Sequence, residues 1–294
     1  MTKWKTWIGR IAAAIGLAAA LGTPAAAKGP ALWKLADADT TIYLFGTIHA
    51  LPKGLEWRTP AIDAAFASAD QLVLETTIDG NPMGMAQALM RVGRSPGLPP
   101  LAERVSEQRR PALAAMTRQL GAPPALLDGM ETWAAALMLI GGQLGHLGVE
   151  PSLGVEQRLA ADSSAAKRPV IGLETSEQQL GFFDTLSEDA QRALLESALD
   201  DPAKAKAEFQ AMLDAWRTGD VDGIARTFDS ETTKQPELRE VLMQRRNAAW
   251  TEWLQKRLEQ PGTIMVAVGA GHLAGQDSVQ AMLAKRGLTV ERLQ

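Results

Sequence analysis

The chain has 294 residues, of which 46% are hydrophobic and 22% are charged. These proportions are typical of a globular protein and exclude a fibrous or disordered one. It contains no cysteine, which excludes disulfide bridges, thiolate metal ligands and a cysteine nucleophile. A formal net charge of −4 argues against nucleic acid and anionic membranes as partners, because phosphate binding needs clustered lysine and arginine.

The first 27 residues have the pattern of a secretory signal peptide. Three basic residues precede an apolar stretch from Ile11 to Leu21, and Ala25-Ala-Ala27 offers a cleavage site. The apolar stretch is too short for a membrane span, which takes about 20 residues. We therefore expect cleavage near Ala27, no stable membrane anchor afterwards, and a periplasmic or secreted mature protein of residues 28–294. Its formal charge falls to −7 once the three basic residues are lost.

The mature chain begins with alternating strand and helix patterns. A strand candidate at 31–36 and polar turn residues at 37–40 precede the apolar run 41–45, which predicts an antiparallel hairpin. A helix pattern follows over 57–69 and a strand over 71–75. This strand–helix–strand order predicts that the second and third strands run parallel in one sheet.

The segment from about 81 to 166 is rich in alanine and leucine and is broken by prolines, which predicts short helices forming an insertion or cap. Further strands are predicted at 168–174 and 263–268, with a long helix at 237–258. A capping box, Thr175-Ser-Glu-Gln178, predicts a helix directly after the first of these strands. The predicted fold is a single α/β domain with a central mixed, largely parallel sheet, flanking helices and an inserted helical subdomain.

Four predicted strands end in residues that can bind a metal ion. One leads into Gly46-Thr-Ile-His49 and another into Gly269-Ala-Gly-His272, so two of the three histidines lie in matching Gly-x-x-His contexts. Glu75 and Glu174 end the other two strands. Because ligands bind beyond the carboxyl ends of parallel strands, we expect these side chains at one rim. Two imidazoles and two carboxylates suit Zn, Mn, Fe or Co.

Each candidate also has a structural interpretation. A single histidine at a strand end is more often structural than functional, and only the matched pair beside carboxylates favours a site. Glu174 also fits a charge at the start of a helix, where it interacts with the helix dipole. Glu156 fits the beginning of its own helix, and His146, in a glycine-rich helix end, is better explained as structural.

The sequence lacks the motifs of several common chemistries, and their absence excludes those chemistries. The sequence has no Gly-x-Ser-x-Gly elbow, no His-Glu-x-x-His helix and no phosphate-binding Gly-x-x-x-x-Gly-Lys-Ser/Thr loop. Metal-activated water and direct acid–base work by histidine and glutamate remain as routes to hydrolysis.

Five segments of the chain form a set: Tyr43-Leu-Phe-Gly-Thr-Ile-His49, Leu74-Glu75, Gly172-Leu-Glu-Thr175, Arg246-Asn247 and Val268-Gly-Ala-Gly-His-Leu-Ala-Gly275. In them the chain resembles the TraB/PrgY/GumN family, itself similar to the Tiki proteases, over nearly all of the mature sequence. The resemblance implies an EreA/ChaN/Tiki-like hydrolase fold. It also implies that His49, Glu75 and His272 bind a divalent ion while Glu174 and Arg246 line the pocket. The family pattern has aspartate at position 156, where this chain has the longer glutamate.

Two functional hypotheses follow. The first is an exported divalent-metal-dependent hydrolase, a peptidase by resemblance, acting on a peptide or small molecule. Its metal ligands are the two histidines and Glu75, while Glu174 accepts a proton from water and Arg246 stabilises the developing oxyanion. The alternative is a non-catalytic periplasmic binding protein for a peptide, signal molecule or metal complex, which needs the same convergent polar groups. The sequence leaves the oligomeric state open.

Overall fold

The computed structural model describes residues 29–76, 84–232 and 235–294. The predicted signal peptide and the first residues of the predicted insertion lie outside these ranges. The strands are β1 Leu32–Ala36, β2 Thr40–Thr47, β3 Leu51–Pro52, β4 Gln71–Thr76, β5 Val149–Glu150, β6 Val170–Glu174, β7 Gly262–Gly269 and β8 Val290–Arg292. The helices are α1 Pro60–Ser68, α2 Gly84–Val92, α3 Arg110–Leu120, α4 Pro124–Asp128, α5 Thr132–Gln143, α6 Val155–Ala165, α7 Ser176–Asp184, α8 Glu188–Ser197, α9 Pro202–Thr218, α10 Val221–Thr232, α11 Pro236–Arg239, α12 Arg245–Arg257 and α13 Val279–Lys285.

Within the described ranges, six strands form one sheet in the order β6-β4-β7-β2-β1-β8. Neighbours among β6, β4, β7 and β2 run parallel, whereas β1 pairs antiparallel with both β2 and β8. The predicted α/β class, the mixed and largely parallel sheet and the first hairpin are therefore confirmed. β2 and β4 point the same way, as predicted, but β7 lies between them. Local sequence predicts the strands and does not encode this lateral order.

Helices cover both faces of the sheet. On one face α1, α6, α9 and α10 pack against buried strand residues such as Phe45, Leu72 and Met265. On the other face α12 and α13 pack against residues such as Ile42, Val73 and Val266. The apolar sequence of β7 is thereby buried on both sides, which is typical of a central parallel strand. His272 lies in the turn directly after this buried strand.

The helical subdomain has an apolar core of its own. It joins residues between 88 and 139 with residues between 180 and 199, so α7 and α8 complete a core begun by α2 to α5. Within the predicted insertion of 81–166, α6 instead packs Val155 and Leu159 onto the sheet. The helical subdomain is therefore discontinuous in sequence and brackets β6. No helix among the residues with described placement is long and apolar enough to cross a membrane.

The predicted long helix at 237–258 contains an irregular turn. α11 is followed by a π-helical turn, Glu240–Gln244, in which the amide of Arg245 bonds back to the carbonyl of Glu240, and α12 begins directly after it. Such π turns occur frequently at functional sites. This one stands immediately before Arg246 and Asn247.

Candidate active site

The carboxyl ends of the four parallel strands meet at one edge of the sheet. His49 follows β2, Glu75 lies near the end of β4, and Glu174 ends β6. His272 lies in a 3₁₀ turn, Ala270–Leu273, directly after β7. The register aligns these ends, because Thr47 pairs with the last residue of β7 and Thr76 pairs with Glu174. The structure thus brings together the four strand-end residues picked out in the sequence.

Gly269 is the point around which the three proposed metal ligands gather. Its amide donates a hydrogen bond to Oε1 of Glu75 at 2.7 Å. A Cβ atom at position 269 would lie 3.0 Å from that oxygen and 3.3 Å from Nε2 of His49. Nε2 of His272 lies 3.7 Å from the same Glu75 oxygen. Two imidazole nitrogens and one carboxylate oxygen therefore border a small space that glycine leaves open.

His272 is the buried histidine of the site, with 5% of its surface exposed. Its Nδ1 lies 2.6 Å from Oδ1 of Asn247, and its Nε2 lies 3.2 Å from Nη1 of Arg246. The ring packs against Trp250, with centroids 4.4 Å apart. Burial lowers the pKa of His272 to about 3, against the attraction of Glu75. The imidazole is therefore neutral near neutral pH.

His49 is the exposed histidine, with 69% of its side-chain surface in solvent. Its Nδ1 lies 2.6 Å from Oε1 of Glu156, which also accepts a hydrogen bond from the hydroxyl of Thr47. Glu156 stands in the first turn of α6, and this helix is fixed to the site because the amide of Val155 donates to the carbonyl of Ile48 at 3.1 Å. The Glu156 carboxylate raises the pKa of His49 above its ordinary value. Glu156 therefore orients His49, in addition to beginning a helix.

Glu75 is held from two sides. Its Oε2 accepts hydrogen bonds from Nη2 of Arg246 at 2.7 Å and from Nε2 of Gln179 at 3.0 Å. Burial alone would raise the pKa of Glu75, but the two histidines, Arg246 and the backbone hydrogen bond lower it to about 2. The carboxylate is therefore ionised, with Oε1 directed toward the histidines.

Arg246 links the members of the site. All five of its N–H groups face acceptors: Nε and Nη2 each lie 2.9 Å from an oxygen of Glu174, and Nη2 also reaches Glu75. Nη1 faces Nε2 of His272 and, at 3.3 Å, the carbonyl of Leu242. Arg246 is 7% exposed, and its guanidinium carbon lies 4.7 Å from the ring centroid of Trp250. Through these contacts Arg246 holds the neighbouring side chains in position.

The carboxylate of Glu174 is also held by several hydrogen bonds. Besides the guanidinium, the indole Nε1 of Trp250 donates to its Oε1 at 2.9 Å. Burial raises the pKa of Glu174, and the hydrogen bonds and charge of Arg246 oppose that rise. Both carboxylate oxygens already accept hydrogen bonds from fixed donors. The predicted roles of Glu174 as proton acceptor and Arg246 as oxyanion donor stay predictions that substitutions can test.

The motif resemblance extends over the whole fold. Residues 31–292 match the TraB/PrgY/gumN family. The chain belongs to this family. An uncharacterized protein, YbaP, of Escherichia coli (strain K12) is 28% identical over 241 residues, which cover 82% of this chain and 87% of YbaP. YbaP of Shigella flexneri gives the same values. An uncharacterized protein of Treponema pallidum (strain Nichols) is 24% identical over 280 residues, covering 87% of this chain and 80% of its own. No solved structure matches, so the likeness to EreA, ChaN and Tiki folds stays a prediction.

The donor set of this TraB/PrgY/gumN member fits a divalent first-row ion by its chemistry, with two imidazole nitrogens and an ionised carboxylate oxygen. Among the residues that the structure describes, no group of three or more His, Asp or Glu side chains already surrounds a common ion position. Ligands about 2.1 Å from an ion at tetrahedral angles are about 3.4 Å apart, close to the 3.7 Å between Glu75 and His272. An ion held by all three residues would therefore require side-chain shifts and release of the Arg246 contact from His272.

Some residues of the candidate site were missed from the sequence. Gln179 and Trp250 lie on helices whose patterns give no sign that they reach Glu75 and Glu174. Thr47 and Asn247 could have been proposed from the sequence. Thr47 lies inside a Gly-x-x-His motif, and Asn247 follows Arg246 in a segment that resembles the family. The third histidine, His146, is exposed in the turn after α5, away from the other two, and its Nε2 lies 3.0 Å from Nε2 of Gln119.

Proposed function

We propose that this protein is an exported, divalent-metal-dependent hydrolase that acts on peptides, with its site at the carboxyl ends of β2, β4 and β7. The observation that carries the proposal is the convergence of His49 Nε2, Glu75 Oε1 and His272 Nε2 beside Gly269. These three residues would hold the ion. When bound, a divalent ion supplies a Lewis acid and acidifies a bound water.

The charge balance of the site supports a cation as its ligand. The site contains three carboxylates and one guanidinium: Glu75 and Glu174 pair with Arg246, whereas Glu156 pairs with His49. The raised pKa of His49 in the ion-free site partly balances this excess negative charge. A divalent ion would take over that function, releasing a proton from His49 as it binds.

The residues around the ligands would hold them in place. Glu156 and Asn247 each accept from a histidine Nδ1, which leaves both Nε2 atoms directed at the site. Arg246 and Glu174 form a buried pair behind Glu75, and their contacts favour positioning roles over direct chemistry. The open face of His49 gives a substrate access to the ligands. The motif resemblance to Tiki proteases favours a peptide as that substrate, and the signal pattern favours action outside the cytoplasm.

The proposal is tested by metal analysis of purified residues 28–294 together with cleavage of a mixed peptide library with and without Mn²⁺ or Co²⁺. Wild type is expected to retain a stoichiometric ion and to cleave only when loaded. His49→Ala should lose both properties, whereas His146→Ala, which removes the exposed histidine outside the site, should keep both. Metal and peptide binding without turnover would favour the non-catalytic binding protein. Failure to retain any ion would overturn the metal-dependent proposal.

A further inference from the structure

Asn247 makes three contacts that fix the direction of its side-chain amide. Its Nδ2 lies 2.8 Å from the backbone carbonyl of Asp277 and 3.4 Å from that of His272. Carbonyl oxygens only accept, so these contacts identify the nitrogen of the amide. The other atom, Oδ1, is therefore the one that lies 2.6 Å from Nδ1 of His272. Asn247 is buried, so this orientation is set by the protein.

The orientation of Asn247 determines which nitrogen of His272 carries the proton. Oδ1 has no hydrogen, so Nδ1 must be the donor in the contact between them. Nε2 of the same ring lies 3.2 Å from Nη1 of Arg246, which is always a donor, so Nε2 must accept. Both neighbours thus favour the Nδ1–H tautomer. Its free lone pair lies on Nε2, the atom 3.7 Å from Oε1 of Glu75.

The turn that carries His272 is held to the same helix at further points. The carboxylate of Asp277 accepts hydrogen bonds from Nε of Arg239 and from Nε2 of Gln244, each at 2.9 Å. Together with Asn247, these residues span the π-helical turn and bind both the backbone and the side chain of the segment after β7. Asn247 thus has two separate functions: its Nδ2 holds the backbone of this segment, and its Oδ1 contacts the imidazole of His272.

We propose that Asn247 is a positioning residue that holds His272 in the tautomer required to bind a ligand through Nε2. The identity of that ligand as a divalent ion rests on the proposed function, whereas the tautomer is a property of the ion-free protein. Partners of this kind, which satisfy the second nitrogen of a ligating histidine, typically contribute about 10- to 100-fold to metal affinity.

The test uses mature protein labelled with nitrogen-15 in its histidines, whose two- and three-bond proton couplings distinguish N–H from lone-pair nitrogens. Wild-type, ion-free protein is expected to show His272 with a protonated Nδ1 and a bare Nε2. Asn247→Leu leaves a buried Nδ1–H without an acceptor, whereas a proton on Nε2 can turn toward Oε1 of Glu75, 3.7 Å away, so the Nε2–H form should appear despite the Arg246 contact. Co²⁺ affinity in calorimetry should then fall about 10- to 100-fold. Asn247→Asp keeps an acceptor at Nδ1 and should retain the tautomer. Both variants lose Nδ2, so the lost backbone contacts are the same in each, and the variants differ in the acceptor at Nδ1 and in the charge of the aspartate.

His146 lies outside the site, so its signals serve as an internal control for folding in every sample. An Nε2–H tautomer in wild type overturns the proposal, as does an unchanged tautomer in folded Asn247→Leu. If Asn247→Leu does not fold, the tautomers of wild type and Asn247→Asp decide. A wild type that binds no Co²⁺ and cleaves no peptide would defeat the proposed function while leaving the tautomer result to decide this inference.

Discussion

Replacement of Arg246 by methionine is expected to destabilise the protein by about 3–5 kcal/mol, the usual result of removing one partner from a buried ion pair. The guanidinium lies 2.7 Å from an oxygen of Glu75 and 2.9 Å from oxygens of Glu174, and both carboxylates are less than one tenth exposed. Methionine preserves part of the bulk against Trp250. It removes the guanidinium that both buried carboxylates share, and that loss of counter-charge is the source of the destabilisation.

The assay is thermal unfolding followed by circular dichroism near neutral pH. In a protein of this size, each kcal/mol lowers Tm by about 2–4 °C, so Arg246→Met is expected to melt roughly 6–20 °C below wild type. Adding Glu174→Gln removes one of the two uncompensated charges and should recover part of that difference. The double-mutant comparison measures the coupling between the two side chains directly.

Arg245→Met is the matched control for Arg246→Met. Arg245 precedes Arg246 in the chain, is exposed, and pairs with Glu240 at 2.8 Å on the surface. Its replacement should cost less than about 1 kcal/mol, because exposed ion pairs contribute little. Equally small Tm changes in both variants would refute the reasoning that Arg246 neutralises buried carboxylates. In that case, the predicted role of Arg246 as an oxyanion donor would be the one left to test.

Three further substitutions test other parts of the site. Gly269→Ala is expected to weaken Co²⁺ binding about tenfold or more in calorimetry, because the added methyl group would lie 3.0 and 3.3 Å from two proposed ligand atoms and such overpacking costs about 1–3 kcal/mol. Glu156→Ala should lower Co²⁺ affinity about 10- to 100-fold, since His49 loses the acceptor that orients its Nδ1. Trp216→Phe should cost about 1–3 kcal/mol in urea denaturation, because it removes the indole N–H that lies 2.8 Å from the buried carbonyl of Gly46.

Each of these substitutions has a control or a contradicting outcome. Gly141→Ala adds a methyl group to α5 with nothing within 4 Å of it, and it should leave metal affinity unchanged. Glu150→Ala removes an exposed carboxylate shortly before α6, and it should do the same. If Gly269→Ala binds Co²⁺ as wild type does, the proposed ligands do not converge there. A Trp216→Phe variant with the wild-type urea midpoint would show that Gly46 does not depend on the indole.

Local sequence signals predicted the elements that carry the site. The capping box at Thr175 is present in full, with the Thr175 hydroxyl accepting from the Gln178 amide and the Gln178 side chain accepting from the Thr175 amide. The hairpin of β1 and β2 and the apolar run of β7 were equally accessible, because each depends on alternation, turn residues or hydrophobicity within a few positions.

The long-range arrangement of the strands and helices could not be predicted from local sequence signals. The insertion of β7 between β2 and β4 is a choice of lateral order, and nothing inside the strands specifies it. The core of the helical subdomain joins α5 to α8 across β6, so the predicted segment 81–166 did not capture its extent. An apolar helix sequence predicts that the helix is buried, but it does not identify the distant segment of the chain that packs against it.

The site shows the same division. Residues at strand ends could be proposed from the sequence, because parallel strands deliver their ends to one rim. The contacts of Gln179, Asn247 and Glu156 depend on helices approaching that rim from elsewhere in the fold. The five hydrogen-bonded N–H groups of Arg246 likewise become visible only in three dimensions, and its predicted role as an oxyanion donor stays a prediction.

The most direct test of the central claim is anomalous diffraction from a crystal of the mature protein soaked in Co²⁺. The proposal predicts one peak beside Gly269, about 2.0–2.2 Å from Nε2 of His49, Oε1 of Glu75 and Nε2 of His272, with Nη1 of Arg246 moved away from His272. A crystal with no peak at these three atoms, or with cobalt bound elsewhere and the Arg246 contact intact, would contradict it.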